Sequence, residues 1–179
     1  MNYDLPLSLD EIEEIFKERF GEKVSDIKKE VFNKGVKKTP MKLIWLKIER
    51  EAFRKAIKTI SEIQIPHLSV TSGSDKGDMV ELIYHFEVNY GCPGEETTIN
   101  LKVDLPKDDL KIPTITDIVP GAITTEREKQ EFLGIEVVDI PDSRRLWLDE
   151  NYPEDRYPWR WDDKGMEDKR AEIDRLVAG

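Results

Sequence analysis

The stretch HLSVTSGSDKGDMVELIYHFEVNYGCPGEETTINLKVDL, residues 67–105, decides the fold. In HLSVTS, MVELIYHFEVNY and TTINLKVDL, β-branched and aromatic residues recur with the period of two that gives a strand one buried and one wetter face. Between them lie SGSDKGD and GCPGEE, rich in residues that accept tight-turn backbones. Three strands joined by short turns follow. SGSDKGD is not a phosphate loop, because it lacks the GK[ST] ending and leads into a strand instead of a helix N-terminus.

Upstream, residues 50–63 carry Ala52, Phe53, Ala56, Ile57, Ile60 and Ile63 at helical spacing, an amphipathic helix. Before it, VSDIKKEVFNKGVKKTPMKLIWLKIE reads as two antiparallel strands turning near Asn33-Lys34-Gly35. At the N-terminus, Ser8 with Glu11 three positions on is a capping box. It opens a helix from Leu9 to Phe20, whose apolar face is Leu9, Ile12, Ile15, Phe16 and Phe20 and whose stop is Gly21. The order α-β-β-α-β-β-β predicts an α+β two-layer sandwich, with two helices on one face of a five-stranded sheet.

Downstream of Pro106 the character changes. A Pro-punctuated connector leads to a short helix over Ala122–Leu133, closed by Gly134. We expect two regions: residues 1–133, comprising body, connector and short helix, and an extended tail over residues 134–179. The tail is dense in Pro and charge, carries Trp147, Trp159 and Trp161, and ends in a weak helix near Glu167 to Val177. With little apolar material of its own, it is expected to fold against something else.

The bulk properties narrow the function. A net charge of −10 repels phosphate backbones, so nucleic-acid binding is not expected. The N-terminus has no basic, apolar leader pattern, and no run approaches the roughly 18 apolar residues of a membrane span. We therefore expect a cytosolic chain that meets a membrane only through a partner. One Cys and two His, Cys92, His67 and His85, fall on separate elements and do not make a zinc or iron-sulfur ligand set. Abundant Glu and Lys with two Gln fit a heat-loving source. No nucleophile stands in a recognisable elbow, so intrinsic catalysis is not expected. A stand-alone enzyme with a site near His85 and Glu87, or a free acidic adaptor, are the alternatives to be tested.

The chemistry-bearing stretch is TTEREKQEFLGIEVVDIPDSRRLW, residues 124–147. On a helix Arg127 and Glu131 stand at i, i+4 and can pair. The Arg144-Arg145 pair suits carboxylates; it could clamp the tail locally or meet another chain.

Glu126-Arg127-Glu128, the acid Glu131, Phe132-Leu133 and then Arg144-Arg145-Leu146, in register without gaps, resemble the signature of the 30-kilodalton subunit family of complex I, the NADH:quinone oxidoreductase. That family is shared with membrane-bound hydrogenases. Two positions depart: Ile140 stands where the family has His or Lys, and Trp147 where a smaller apolar residue is usual. The short length, the composition and Ile140 point towards the version found in archaeal energy-converting hydrogenases or related ferredoxin-linked complexes.

The resemblance implies a cofactor-free, non-catalytic subunit on the cytoplasmic side of a membrane-bound, ion-pumping oxidoreductase. Its implied partners are a hydrogenase-like large subunit, an iron-sulfur small subunit and, through them, antiporter-like membrane subunits. The implied partner interface comprises Glu126, Arg127, Glu128, Glu131, Arg144, Arg145, Trp147, Trp159, Arg160 and Trp161.

Overall fold

A computed structural model of the chain describes residues 5–165; the helix expected near 167–177 lies outside them. The elements are α1 (Leu9–Phe20), β1 (Val24–Lys34), β2 (Thr39–Ile48), α2 (Phe53–Ile63), β3 (His67–Asp75), β4 (Met79–Val88), β5 (Thr97–Pro106), β6 (Lys111–Pro113), α3 (Ala122–Leu133) and β7 (Glu136–Val138). Five strands form one sheet in the order β1-β2-β5-β4-β3. Antiparallel pairs flank a central parallel pair, β2 with β5, and α2 makes the crossover out of β2.

The period of two places the core. Ile44, Leu46 and Ile48 of β2, Val80, Leu82, Tyr84, Phe86 and Val88 of β4, and Ile99, Leu101, Val103 and Leu105 of β5 are all buried. The intervening residues face the other side of the sheet; Trp45, His85, Glu87 and Lys102 are half-buried there, and Asn100 is buried. Because a slip of one residue would exchange the two faces, this alternation fixes the register.

Both expected helices cover the apolar face. In α1 the capping box forms as expected, with the Ser8 amide donating to Glu11 at 2.8 Å and the Glu11 amide to Ser8 Oγ at 3.2 Å. The helix then buries Ile12, Phe16 and Phe20. α2 opens with a 3-10 turn over Arg50–Ala52 and buries Phe53, Ala56, Ile57, Ile60 and Ile63. The Phe53 ring lies 4.9 Å from that of Tyr84 in β4, centroid to centroid.

The short third helix, α3, has the predicted bounds and lies on the same side of the sheet, over β3. Its docking depends on Gly73, which pairs with Leu82 on the helix-facing side of the hairpin. A Cβ there would stand 2.5 Å from Leu133 Cδ1 and 3.2 Å from Leu82 Cδ2. The start of the tail also joins the body. Glu136–Val138 pairs in parallel with Lys111–Pro113 of the connector, and Ile135 and Val137 are buried. Three-residue strands inside irregular sequence leave no periodic signal, so this second sheet is visible only in the structure.

A Gly73→Val variant should force α3 from the sheet and cost roughly 1–3 kcal/mol, read as a lowered urea midpoint. An unchanged midpoint would show that the close approach at Gly73 does not hold α3.

Candidate functional site: the strap on helix α3

α3 is a helix whose buried stripe is partly charged. Ala122, Glu126, Lys129 and Leu133, spaced four, three and four apart, are buried. Glu126 accepts from Thr114 Oγ1 at 2.6 Å and the Ile115 amide at 2.8 Å, tying the helix to the connector. Burial, the largest influence, raises its pKa above the usual glutamate value, and the two hydrogen bonds oppose that. Glu128 pairs with Lys129, whose buried ammonium lies 4.8 Å from the centre of the Trp159 ring. Burial pulls the Lys129 pKa down, against the pull of Glu128.

The other stripe of α3 holds the tail. Glu131, 8% exposed, points its carboxylate into three successive backbone amides, of Leu146, Trp147 and Leu148, at 2.6–3.2 Å. Such a run of N–H groups is a small anion cradle, here filled by the chain itself. Arg127 reaches the same turn from one helical turn earlier. Its Nε donates to the Arg144 carbonyl at 2.8 Å, its Nη2 to the Arg145 carbonyl at 3.0 Å, and its Nη1 lies 3.3 Å from Asp142. The i, i+4 pair between Arg127 and Glu131 expected on the helix is therefore not what forms. Acid and base both reach across to the backbone of residues 144–148, and Arg127 also to Asp142.

The paired arginines divide. Arg144, with a side chain 85% exposed, turns its fork back onto Asp142 at 2.9 and 2.8 Å. These bonds hold the Asp142 carboxyl far below the usual aspartate range. Arg145 meets no carboxylate among the described residues; its Nη1 donates to the carbonyls of Asp149 at 3.0 Å and Tyr152 at 2.7 Å. Ile140 is partly buried and packs against the core.

Further along, the strap is stapled again. The Trp159 ring stacks on Phe132 of α3 with centroids 4.7 Å apart, and its amide donates to the Phe132 carbonyl. Tyr157 lies over Gly134, where a Cβ would meet the ring at 2.6 Å. The buried Arg160 donates to the Leu133 carbonyl at 3.2 Å and pairs with Asp162. Lys107 bridges Asp162 and Asp75 at 2.8 and 2.7 Å, and the Trp161 amide donates to Asp75 at 2.8 Å. Burial pushes both carboxyls up, but their cationic and amide donors outweigh it and leave both pKa values depressed.

After these contacts, the side chains of Trp147 and Trp161 remain 64% and 69% exposed, with Leu146 at 37% and Trp159 at 39%. Of the ten residues singled out by sequence, the structure thus gathers all at α3 and its strap. Glu126, Glu131 and Arg160 are buried there, and Trp147 and Trp161 are presented outward. Sequence reasoning missed Lys129, Asp75, Lys107, Asp142 and Asp162. For Lys129 the signal was its place in the spacing Ala122, Glu126, Lys129, Leu133.

The alternative site on the open face of the sheet is a hydrogen-bonded set. His85 Nε2 meets Ser72 Oγ at 2.9 Å, its Nδ1 meets Asn100 Oδ1 at 2.6 Å, and Glu87 accepts from Thr98 at 3.1 Å. The order Ser-His-Asn is that of a nucleophile, a base and an orienting group, but catalysis also needs a pocket and oxyanion donors. Ser72 lies within β3 on the polar sheet face, and the cavities that flank α3 and the β6–β7 pair are lined by other residues. Among the described residues no three His, Cys, Asp or Glu side chains gather as a metal-ligand set.

Fold and site define a kind of module: a helix-covered sheet that carries an aromatic strap on its third helix. The comparisons with known proteins give it a family. Residues 46–169 match the model of the respiratory-chain NADH dehydrogenase 30 Kd subunit. The membrane-bound hydrogenase subunit beta of Pyrococcus furiosus is 34% identical over 124 residues, which are 69% of this chain and 71% of that one. Formate hydrogenlyase subunit 5 of Escherichia coli is 35% identical over 98 residues, 53% of this chain but 17% of that much longer one. Among solved structures, a chain of the archaeal membrane-bound sulfane sulfur reductase superposes with a TM-score of 0.67 at 19% identity, covering 91% of this chain and 89% of the other. This likeness carries the fold. The chain belongs to the 30-kilodalton subunit family of respiratory-chain NADH dehydrogenase.

The strap can be tested at both ends. Glu131→Gln removes a charge cradled by three amides and should cost about 1.5–3 kcal/mol; urea unfolding measures the loss, and limited proteolysis should cut faster within residues 142–152. The depressed carboxyls of Asp75 and Asp162 contribute stability that is whole above the ordinary aspartate pKa of 3.8 and lost as pH falls below it. In acid titration the Trp161 amide should therefore keep its exchange protection down to the ordinary aspartate pKa of 3.8 and lose it only as the pH falls through the depressed Asp75 pKa, and in Asp75→Asn that acid transition should be absent.

Proposed function

We propose that the chain is a non-catalytic, cofactor-free structural subunit of a membrane-bound, ion-pumping respiratory oxidoreductase of the membrane-bound hydrogenase or complex I-like class. It sits peripherally in the cytoplasmic arm and docks on a hydrogenase-like large subunit. Family membership supports this reading, as do relatives named as components of membrane-bound hydrogenase and formate hydrogenlyase. No helix among the described residues is long and apolar enough to cross a membrane, which fits attachment through partners.

The observation that carries the docking part is the strap, which holds its backbone on α3 while leaving Trp147 and Trp161 mostly exposed. Large aromatic side chains on a fixed backbone are the usual anchors of a stable interface, since little entropy remains to be lost on binding. On this reading the tail meets the large subunit beyond Val138, since Ile135 and Val137 belong to this chain's own core, with Trp147, Trp159 and Trp161 as apolar anchors. Glu126, Glu131 and Arg160 act from within, by fixing the strap that carries those anchors. Iron-sulfur and antiporter-like membrane subunits join through the large subunit.

The test is purification of the tagged chain from its own membranes in mild detergent, with co-purifying chains identified by mass spectrometry. A hydrogenase-like large subunit, iron-sulfur subunits and polytopic membrane proteins are expected together. A chain recovered alone and monodisperse would overturn the proposal. The variant Trp147→Ala should keep its thermal melt but weaken association by roughly 2 kcal/mol or more. Truncation after Leu133 is a poorer test, because it also strips Ile135 and Val137 from the core.

A further inference from the structure

Between α3 and the strap lies a cavity of about 200 Å³ whose wall includes Arg127, Arg144, Arg145, Arg156, Glu154 and Tyr157. Four guanidiniums and two carboxylates, those of Glu131 and Glu154, line one small hollow in a chain whose net charge is −10. Two nearby acids are already engaged: Glu131, also in the wall, by three amides, and Asp142 by the Arg144 fork. Glu154 is exposed. Arg127 spends its donors on two carbonyls and Asp142.

Arg145 is different. The residue is half-buried, and only its Nη1 is used, on two carbonyls; its Nε and Nη2 donate to no atom among the described residues. A guanidinium is charged at every physiological pH and offers its donors as a rigid fork that matches a carboxylate. Sites for drug-sized ligands run from roughly 300 to 1,000 Å³, so this hollow suits one side-chain head group better than a nucleotide or cofactor.

We propose that the cavity is a socket for one Asp or Glu side chain of a partner protein, gripped by Arg145 and steered by the exposed Arg144. A protein is the source, because Leu146 and Trp147, exposed immediately after the pair, offer apolar surface that only a macromolecular partner would cover. The proposal rests on the reading of the chain as a docked subunit and adds the chemistry of one contact.

The experiment uses the full chain assembled in its own membranes. Arg145→Gln should weaken association at least about 30-fold while the near-ultraviolet circular dichroism stays that of the parent. Separately, Arg145→Lys and Arg144→Lys place an amine at the socket, and a zero-length carbodiimide joins it to any carboxylate it touches. The second variant guards against misfolding, since the Arg144 side chain is 85% exposed. A cross-link from either lysine to an Asp or Glu of a co-purifying chain, located by mass spectrometry, would support the socket. Cross-links confined to this chain, at Glu154 or an acid of residues 166–179, or none at all from an assembled complex, would overturn it and leave the subunit reading standing. A chain that enters no complex would overturn both.

Discussion

The strap depends on one carboxylate. Glu131 sits one helical turn after Arg127, and the amides of Leu146, Trp147 and Leu148 converge on it. A charge removed from water needs several donors to offset its desolvation, and a turn of backbone amides needs an acceptor. Each satisfies the other, and the product is a fixed position for Trp147. Arg127 supplies the opposite sense, taking up the carbonyls of the same turn. The motif of alternating charge is therefore a two-handed grip on the backbone of the segment that follows it, and its sign pattern is set by amide and carbonyl polarity.

This changes what the signature means physically. Conspicuous charges near a subunit boundary suggest contacts made across it. Here Glu126 and Glu131 are spent inside the chain, on connector and strap, and Arg160 closes the far end against the Leu133 carbonyl and Asp162. What the strap leaves outward includes Trp147, Trp161 and Leu146, with the exposed Arg144 and the unspent donors of Arg145 beside them. On the proposed docking, such a surface would gain from burial of the Trp rings, while the charges that hold the backbone would stay out of the exchange between water and partner.

The body was legible because its physics is periodic. β4 alternates along its length and β5 along most of its own, and α2 has an apolar face broad enough to read directly. The capping box at Ser8 and the stop at Gly134 set helix ends to the residue. α3 gave its bounds but not its orientation, since three of its buried positions are Glu126, Lys129 and Glu131, which are covered by the connector, the Trp159 ring and the strap amides, all distant from the helix in sequence. The same holds for Asp75, which meets Lys107 and the Trp161 amide, and for β7, whose three residues find a partner only in the connector. The ten candidate residues were found through motif and aromatic composition. The division between those that grip and those that are presented appears only in three dimensions.

The most direct test of this account is hydrogen exchange of the isolated, partner-free chain, followed at the amides of residues 146–148. If α3 builds the strap by itself, these amides exchange well below the random-coil rate in the absence of any other subunit. Exchange at the coil rate would mean that the strap is ordered only on its partner and that the grip of Glu131 is a consequence of assembly.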